Sequence, residues 1–113
     1  MKQVLVVDDM LEIRTVYKAL LAGPELEVLE AEDGCRALEV LEKTGADLVV
    51  TDCQMPNMTG IELMEEAQVR YPDLPFIVVS STAKEADLEG LNPYAVMSKP
   101  FRLAELKEAV QGA

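Results

Sequence analysis

No histidine occurs anywhere in the 113 residues. That excludes a Ser-His-Asp triad, a Cys-His nucleophile pair and a histidine-based zinc site within this chain. Aromatic residues are scarce, at 4%, and basic residues are outnumbered, 10 against 21 acidic, for a formal net charge of −11. Binding nucleic acid by phosphate neutralisation needs clustered Lys and Arg, so no direct nucleic-acid binding is expected. An acidic surface favours solubility, a basic partner surface or a cation instead. The two cysteines, Cys35 and Cys53, show no metal-ligand spacing. They read as free thiols, Cys53 as a small apolar filler. No apolar run approaches the roughly 18 residues of a membrane helix, so no membrane insertion is expected. Met1-Lys2-Gln3-Val4 leads straight into a strand-sized run, without the length or cleavage site of a signal peptide. The expected location is the cytoplasm.

Half the residues are hydrophobic, enough for one core, and a single domain over residues 1–113 is expected. Val4–Val7, Leu48–Val50 and Phe76–Val79 are short, unbroken and Val-rich, the pattern of parallel strands covered on both faces. Leu26–Leu29, interrupted by Glu27, suits a strand nearer an edge, and Ala95–Met97 is a fifth, weaker strand.

Amphipathic stretches lie between these runs. Ile13, Tyr17, Leu20 and Leu21 share a helical face closed off by Gly23-Pro24. Ala37, Leu38 and Leu41 form a stripe behind Asp33, a candidate N-cap. Thr59-Gly60-Ile61-Glu62 reads as a capping box, with Ile61, Met64 and Tyr71 along the helix behind it. Leu103, Leu106 and Val110 form the last stripe, and Ala83–Gly90 is the weakest helix. A β-α unit repeated five times predicts an α/β fold, a parallel sheet with right-handed crossovers and helices on both faces. Ligands of such sheets bind outside the carboxyl ends of the strands.

Asp8 and Asp9 follow the first strand, Asp52 ends the third, Ser81 and Thr82 follow the fourth, and Lys99-Pro100 follows the fifth. A parallel sheet brings these together on one rim. Crowded carboxylates repel, and a divalent cation relieves the repulsion; oxygen ligands with positions left for water suit Mg²⁺. A carboxylate left partly free can attack phosphorus and form an aspartyl-phosphate. Lys99 and the metal would stabilise the transferring charge, and Thr82 would donate a hydrogen bond to it. Plainer roles exist for each: Asp8 and Asp9 as the start of a helix, Asp52 as an ordinary loop residue, Thr82 as an N-cap boxed with Glu85, Lys99 as a solvated surface residue.

Val6-Val7-Asp8-Asp9, Asp52 with Met55-Pro56 and Gly60, Ser81-Thr82-Ala83, and Lys99-Pro100-Phe101 resemble the motifs of the bacterial response-regulator receiver domain, across essentially the whole chain. The resemblance implies a flavodoxin-like doubly wound five-stranded sheet in the order 2-1-3-4-5. It implies that Asp52 accepts a phosphoryl group from a phosphohistidine on a sensor histidine kinase or phosphotransfer protein. It also implies direct Mg²⁺ ligation by Asp9 and Asp52, help from Asp8 through water, a further ligand in the backbone carbonyl of Gln54, and phosphate contacts from Thr82 and Lys99. The expected result is a phosphorylation-dependent switch that acts on an effector or a homodimer partner, not a general enzyme. A cis bond is implied between Lys99 and Pro100.

Two departures stand out. Thr82 and Lys99 are 17 positions apart, several fewer than receivers usually have. Residues 84–93 therefore leave room for about two helical turns before Gly90 and Asn92-Pro93 end them. Val96 stands where receivers often carry a switch aromatic, with Tyr94 two places earlier. Other readings are an autonomous aspartyl-phosphate phosphatase, disfavoured by Gln54 where a second Asp is usual, a flavin-binding module, disfavoured by the acidic crevice, and a degenerate receiver used only for docking.

Overall fold

The computed structural model describes residues 2–53, 58–80, 93–98 and 102–113. In chain order these form β1 (Lys2–Val7), α1 (Leu11–Leu21), β2 (Leu26–Ala31), α2 (Gly34–Lys43), β3 (Leu48–Asp52), α3 (Gly60–Arg70), β4 (Phe76–Ser80), β5 (Ala95–Ser98) and α4 (Leu103–Gly112). All strand pairings are parallel, in the order β2-β1-β3-β4-β5, as expected. Ala83–Gly90 and the Lys99-Pro100 bond lie outside the described residues.

The three Val-rich runs become the three inner strands. Val4, Leu5, Val6, Leu48, Val49, Phe76, Ile77 and Val78 are fully buried, because helices cover both faces. Alternation divides them. Leu5, Val7, Val49, Phe76 and Val78 pack with Ala37, Leu41, Leu63, Met64 and Ala67 of α2 and α3. Val4, Val6, Leu48, Val50, Ile77 and Val79 pack with Tyr17, Leu21, Leu106 and Val110 of α1 and α4. Each fully buried side chain of this size contributes roughly 1.5–3 kcal/mol. Strand β2, with exposed Glu27, lies at one edge, and β5 at the other.

Local signals account for the starts of α2 and α3. The Asp33 carboxylate accepts the Arg36 amide and starts α2. At α3 the capping box is complete: the Thr59 hydroxyl accepts the Glu62 amide, and the Glu62 carboxylate accepts the Thr59 amide, both at 3.1 Å. At the amino ends of the strands, the Asp47 amide donates to the Gln3 carbonyl at 2.8 Å, and the Asp47 carboxylate accepts the Gln3 amide at 2.7 Å.

The structure extends one helix stripe and corrects another. Ile61, Met64 and Tyr71, the last as C-cap, all pack on the α2/α3 core as expected, and the fully buried Leu63 and Ala67 seat α3 beside them. Leu103 opens α4 but is exposed, so among the described residues that helix is anchored by the buried Leu106 and Val110, with the partly buried Ala109 beside them. Tyr94 precedes β5 at its amino end, where its hydroxyl lies against Gly112, so it stands at the opposite end of the strand from the acidic rim.

Candidate functional site

Strands β1 and β3 are neighbours, with Val7 opposite Thr51. The residues that follow, Asp8 and Asp52, therefore emerge side by side at the carboxyl rim. With Asp9 they form a cluster in which one carboxylate oxygen from each lies within 4.8 Å of the others. Asp8 is buried at 2% exposure, Asp9 is exposed, and Asp52 is intermediate. Three like charges at this spacing repel strongly unless a cation joins them.

Asp8 does not cap α1; the N-cap is Met10, which makes no side-chain hydrogen bond. Asp8 Oδ1 instead accepts the Met10 amide at 2.9 Å, which folds the Asp8-Asp9 turn back on itself. The Asp8 amide donates to the Ala31 carbonyl at 3.2 Å, extending the ladder with β2 by one residue. The Asp8 carbonyl accepts Arg14 Nη1 at 2.7 Å, and Arg14 Nε reaches Glu30 Oε1 at 3.3 Å.

Asp52 ends β3 opposite Val79. The next amide, of Cys53, donates to the Val79 carbonyl at 3.1 Å, and the Cys53 carbonyl accepts the Gly60 amide at 3.0 Å. The first residue of α3 is thus bound to the backbone that carries Asp52. A Cβ on Gly60 would stand 2.1 Å from the Asp52 carbonyl oxygen, so no side chain fits there. The buried Thr51 hydroxyl donates to that same oxygen at 3.0 Å.

Tyr17 lies under this rim in the α1/α4 core, 6% exposed. Burial pushes its phenol up to about 12, and the Asp8 and Asp52 carboxylates push the same way.

Of the site residues expected from sequence, the structure brings together Asp8, Asp9 and Asp52. Gln54, Ser81, Thr82 and Lys99 lie outside the described residues. Cys53 is buried in the α2/α3 core, as a filler should be, and Cys35 is exposed. Sequence reasoning missed Arg14, Glu30 and Thr51 as site neighbours and read Tyr17 only as core. Arg14 follows Met10 by one helical turn, which places it over the rim, and that spacing was the available signal.

Known proteins of this shape agree with the geometry. Residues 4–111 match the response regulator receiver domain family. Chemotaxis protein CheY of Pseudomonas aeruginosa is 38% identical, over 96% of this chain and 93% of its own. Chemotaxis protein CheY-3 of Vibrio cholerae is 40% identical, over 94% and 86%. Among solved structures, the response regulator TrrA of Thermotoga maritima, in complex with Mg²⁺-BeF, superposes with a TM-score of 0.89 at 33% identity, covering 99% of this chain and 98% of that one. With the doubly wound sheet in the expected order and an acidic cluster at its carboxyl rim, the chain belongs to the response-regulator receiver family, the phosphorylation-dependent switch modules of two-component signalling.

Proposed function

We propose that Asp52 is the phosphoryl acceptor of this receiver and that Asp8 and Asp9 hold Mg²⁺ beside it. The observation that carries the reading is the carboxylate cluster, three oxygens within 4.8 Å from three residues at the carboxyl ends of two adjacent strands. The donors are all oxygen and all anionic. A cation with ligands at about 2.1 Å sets opposite ligands about 4.2 Å apart, so the cluster matches one Mg²⁺ with small adjustments. The Gln54 carbonyl would complete the protein's share of the ligands. Bound there, Mg²⁺ supplies positive charge opposite the oxygens of a transferring phosphoryl group. The TrrA complex with Mg²⁺-BeF supports that assignment by analogy.

The remaining chemistry belongs to the chain. An Asp52 carboxylate oxygen forms a bond to phosphorus as the bond from phosphorus to the donor's imidazole nitrogen breaks; the electron pair leaves with the imidazole, which takes up a proton. Thr82 would donate to one phosphoryl oxygen, and Lys99 would offset the charge of another. The donor histidine belongs to a sensor histidine kinase or phosphotransfer protein, in keeping with a chain that has none of its own. Phosphorylation then favours one conformer of the domain, which an effector or a second copy reads. Catalysis is confined to the domain's own phosphorylation and slow dephosphorylation, in the cytoplasm where such kinases present their phosphohistidine.

Acetyl phosphate with Mg²⁺ tests the reading. Intact-protein mass spectrometry should find one added phosphoryl group, labile in base, and none on Asp52→Ala. An Asp52→Ala protein labelled as well as the wild type would overturn the assignment.

A further inference from the structure

Arg14 touches two elements at once. From α1, its Nη1 donates to the Asp8 backbone carbonyl at 2.7 Å, while its Nε reaches Glu30 Oε1 at 3.3 Å near the end of β2. Its side chain is only 15% exposed. Lys18, one turn further along α1, approaches the other Glu30 oxygen at 3.6 Å and, among the described residues, shows no hydrogen bond or ion pair to the acidic turn. The peptide that leaves Asp8 for Asp9 has its oxygen held by Arg14. The direction of that peptide sets where the exposed Asp9 side chain begins. Asp8 is already fixed by its amide to Ala31 and by its carboxylate to Met10. Arg14 adds a further restraint, on the peptide itself.

We infer that Arg14, braced by Glu30, is a positioning residue for the cation site: it orients the Asp8-Asp9 peptide so that both carboxylates stay within reach of Asp52. This rests on the Mg²⁺ reading above. Groups that orient metal ligands typically change affinity by about 10–100-fold when removed. Arg14 acts through a ligand's backbone, so the low end applies.

Charge and positioning predict opposite signs here. Arg14 is a cation near a cation site, and removing it should tighten Mg²⁺ binding by Coulomb's law alone. If orientation dominates, removing it weakens binding. Isothermal titration of the phosphate-free protein with MgCl₂ separates the two. We expect R14Q to bind Mg²⁺ about ten-fold more weakly than wild type. E30Q, which keeps Arg14 but removes its brace, should weaken binding by a smaller factor. K18Q, which removes an exposed charge without touching the turn, should stay within about two-fold. Labelling by acetyl phosphate should show the same displacement: R14Q needs more Mg²⁺ for half-maximal rate and reaches the wild-type rate at saturating Mg²⁺.

R14Q binding as tightly as wild type, or tighter, overturns the inference and leaves the metal site standing. So does K18Q weakening binding as much as R14Q, since Lys18 shares the Glu30 partner but not the bond to the Asp8 carbonyl. Should R14Q fail to fold by circular dichroism, R14K decides: it keeps the charge but loses the two-point guanidinium grip, so weaker binding is expected and unchanged affinity there overturns the inference. A wild-type protein that shows no Mg²⁺ binding overturns the site reading and this inference together.

Discussion

Substituting Gly60 by alanine sets two opposing effects against each other. Replacing glycine by alanine near a helix start normally stabilises a protein by about 0.4–1 kcal/mol, because the unfolded chain loses freedom. At Gly60 the new methyl carbon would stand 2.1 Å from the Asp52 carbonyl oxygen, 2.9 Å from the Asp52 carbonyl carbon and 3.1 Å from Cys53 Cα. Ordinary contact between carbon and oxygen begins near 3.3 Å, so the start of α3 and the end of β3 must part by about 1 Å. Neither side is a flexible side-chain tip. The Gly60 amide is bonded to the Cys53 carbonyl, and the Cys53 amide to Val79. Overpacking of this kind costs about 1–3 kcal/mol, which exceeds the entropic gain. For a 113-residue chain, each kcal/mol lowers the melting temperature by about 4 °C. The displacement falls on the acceptor residue, and misplacing a reacting group by about 1 Å can cost on the order of 10²-fold in rate. The expected result for Gly60→Ala, net of the entropic gain, is a melting temperature lower by up to about 10 °C and acetyl-phosphate labelling slowed far beyond what the lost folded fraction explains. Gly23→Ala is the control, since nothing lies within 4 Å of a Cβ there. A Gly60→Ala protein as stable as wild type and labelled at the wild-type rate would refute the reasoning.

Two further expectations follow from the rim and the cysteines. Tyr17 is raised from 10.0 to about 12 in the folded protein, first by burial and then by Asp8 and Asp52. The folded state therefore holds this proton more tightly than the unfolded chain. The resulting stability is complete below pH 10 and is lost as pH rises toward 12, by roughly 2–3 kcal/mol. Urea midpoints across that range should fall, and Tyr17→Phe should flatten the fall; equal slopes in both proteins would contradict it. Cys35 is exposed and Cys53 buried, so a thiol reagent should modify one thiol of the native protein quickly and the second only on unfolding. Two equally fast thiols in the native state would show the packing of Cys53 to be wrong.

The sheet was legible because burial on both faces leaves an unmistakable trace. Val4–Val7, Leu48–Val50 and Phe76–Val79 have no polar face to offer, and only inner parallel strands tolerate that. Caps were equally plain at Asp33 and Thr59, where a short polar side chain precedes the helix by one residue. The acidic rim was readable for a topological reason: alternation of strand and helix puts every strand's carboxyl end on one edge, so Asp8, Asp9 and Asp52 converge wherever the strands pair. Helix faces were harder. Ile61, Met64 and Tyr71 pack on the core as their spacing suggests, but the fully buried Leu63 and Ala67 that also seat α3 do not stand out in the sequence. Leu103 looked like part of a stripe but sits in the first turn of α4, beyond the edge of the surface that helix covers. The roles of Arg14 and Gly60 depend on distances across elements, 2.7 Å to one carbonyl and 2.1 Å to another, which no periodicity encodes.

The bond pair between Gln3 and Asp47 also determines strand alignment. A strand that is apolar on both faces can slide past its neighbour by one residue and still bury oil against oil, so hydrophobic patterning leaves the β1–β3 alignment nearly degenerate. Sliding by one residue moves one strand about 3.3 Å along the other. That is a large fraction of the 4.8 Å within which the three carboxylate oxygens gather. Asp47 grips the Gln3 backbone through both its amide and its carboxylate, and neither bond survives a one-residue shift. The acidic cluster at the top of the sheet is thus indexed from the bottom, as a vernier is set at its zero. A substitution at Asp47, a full strand length from Asp52, would blur the zero mark on which the spacing of the acids depends.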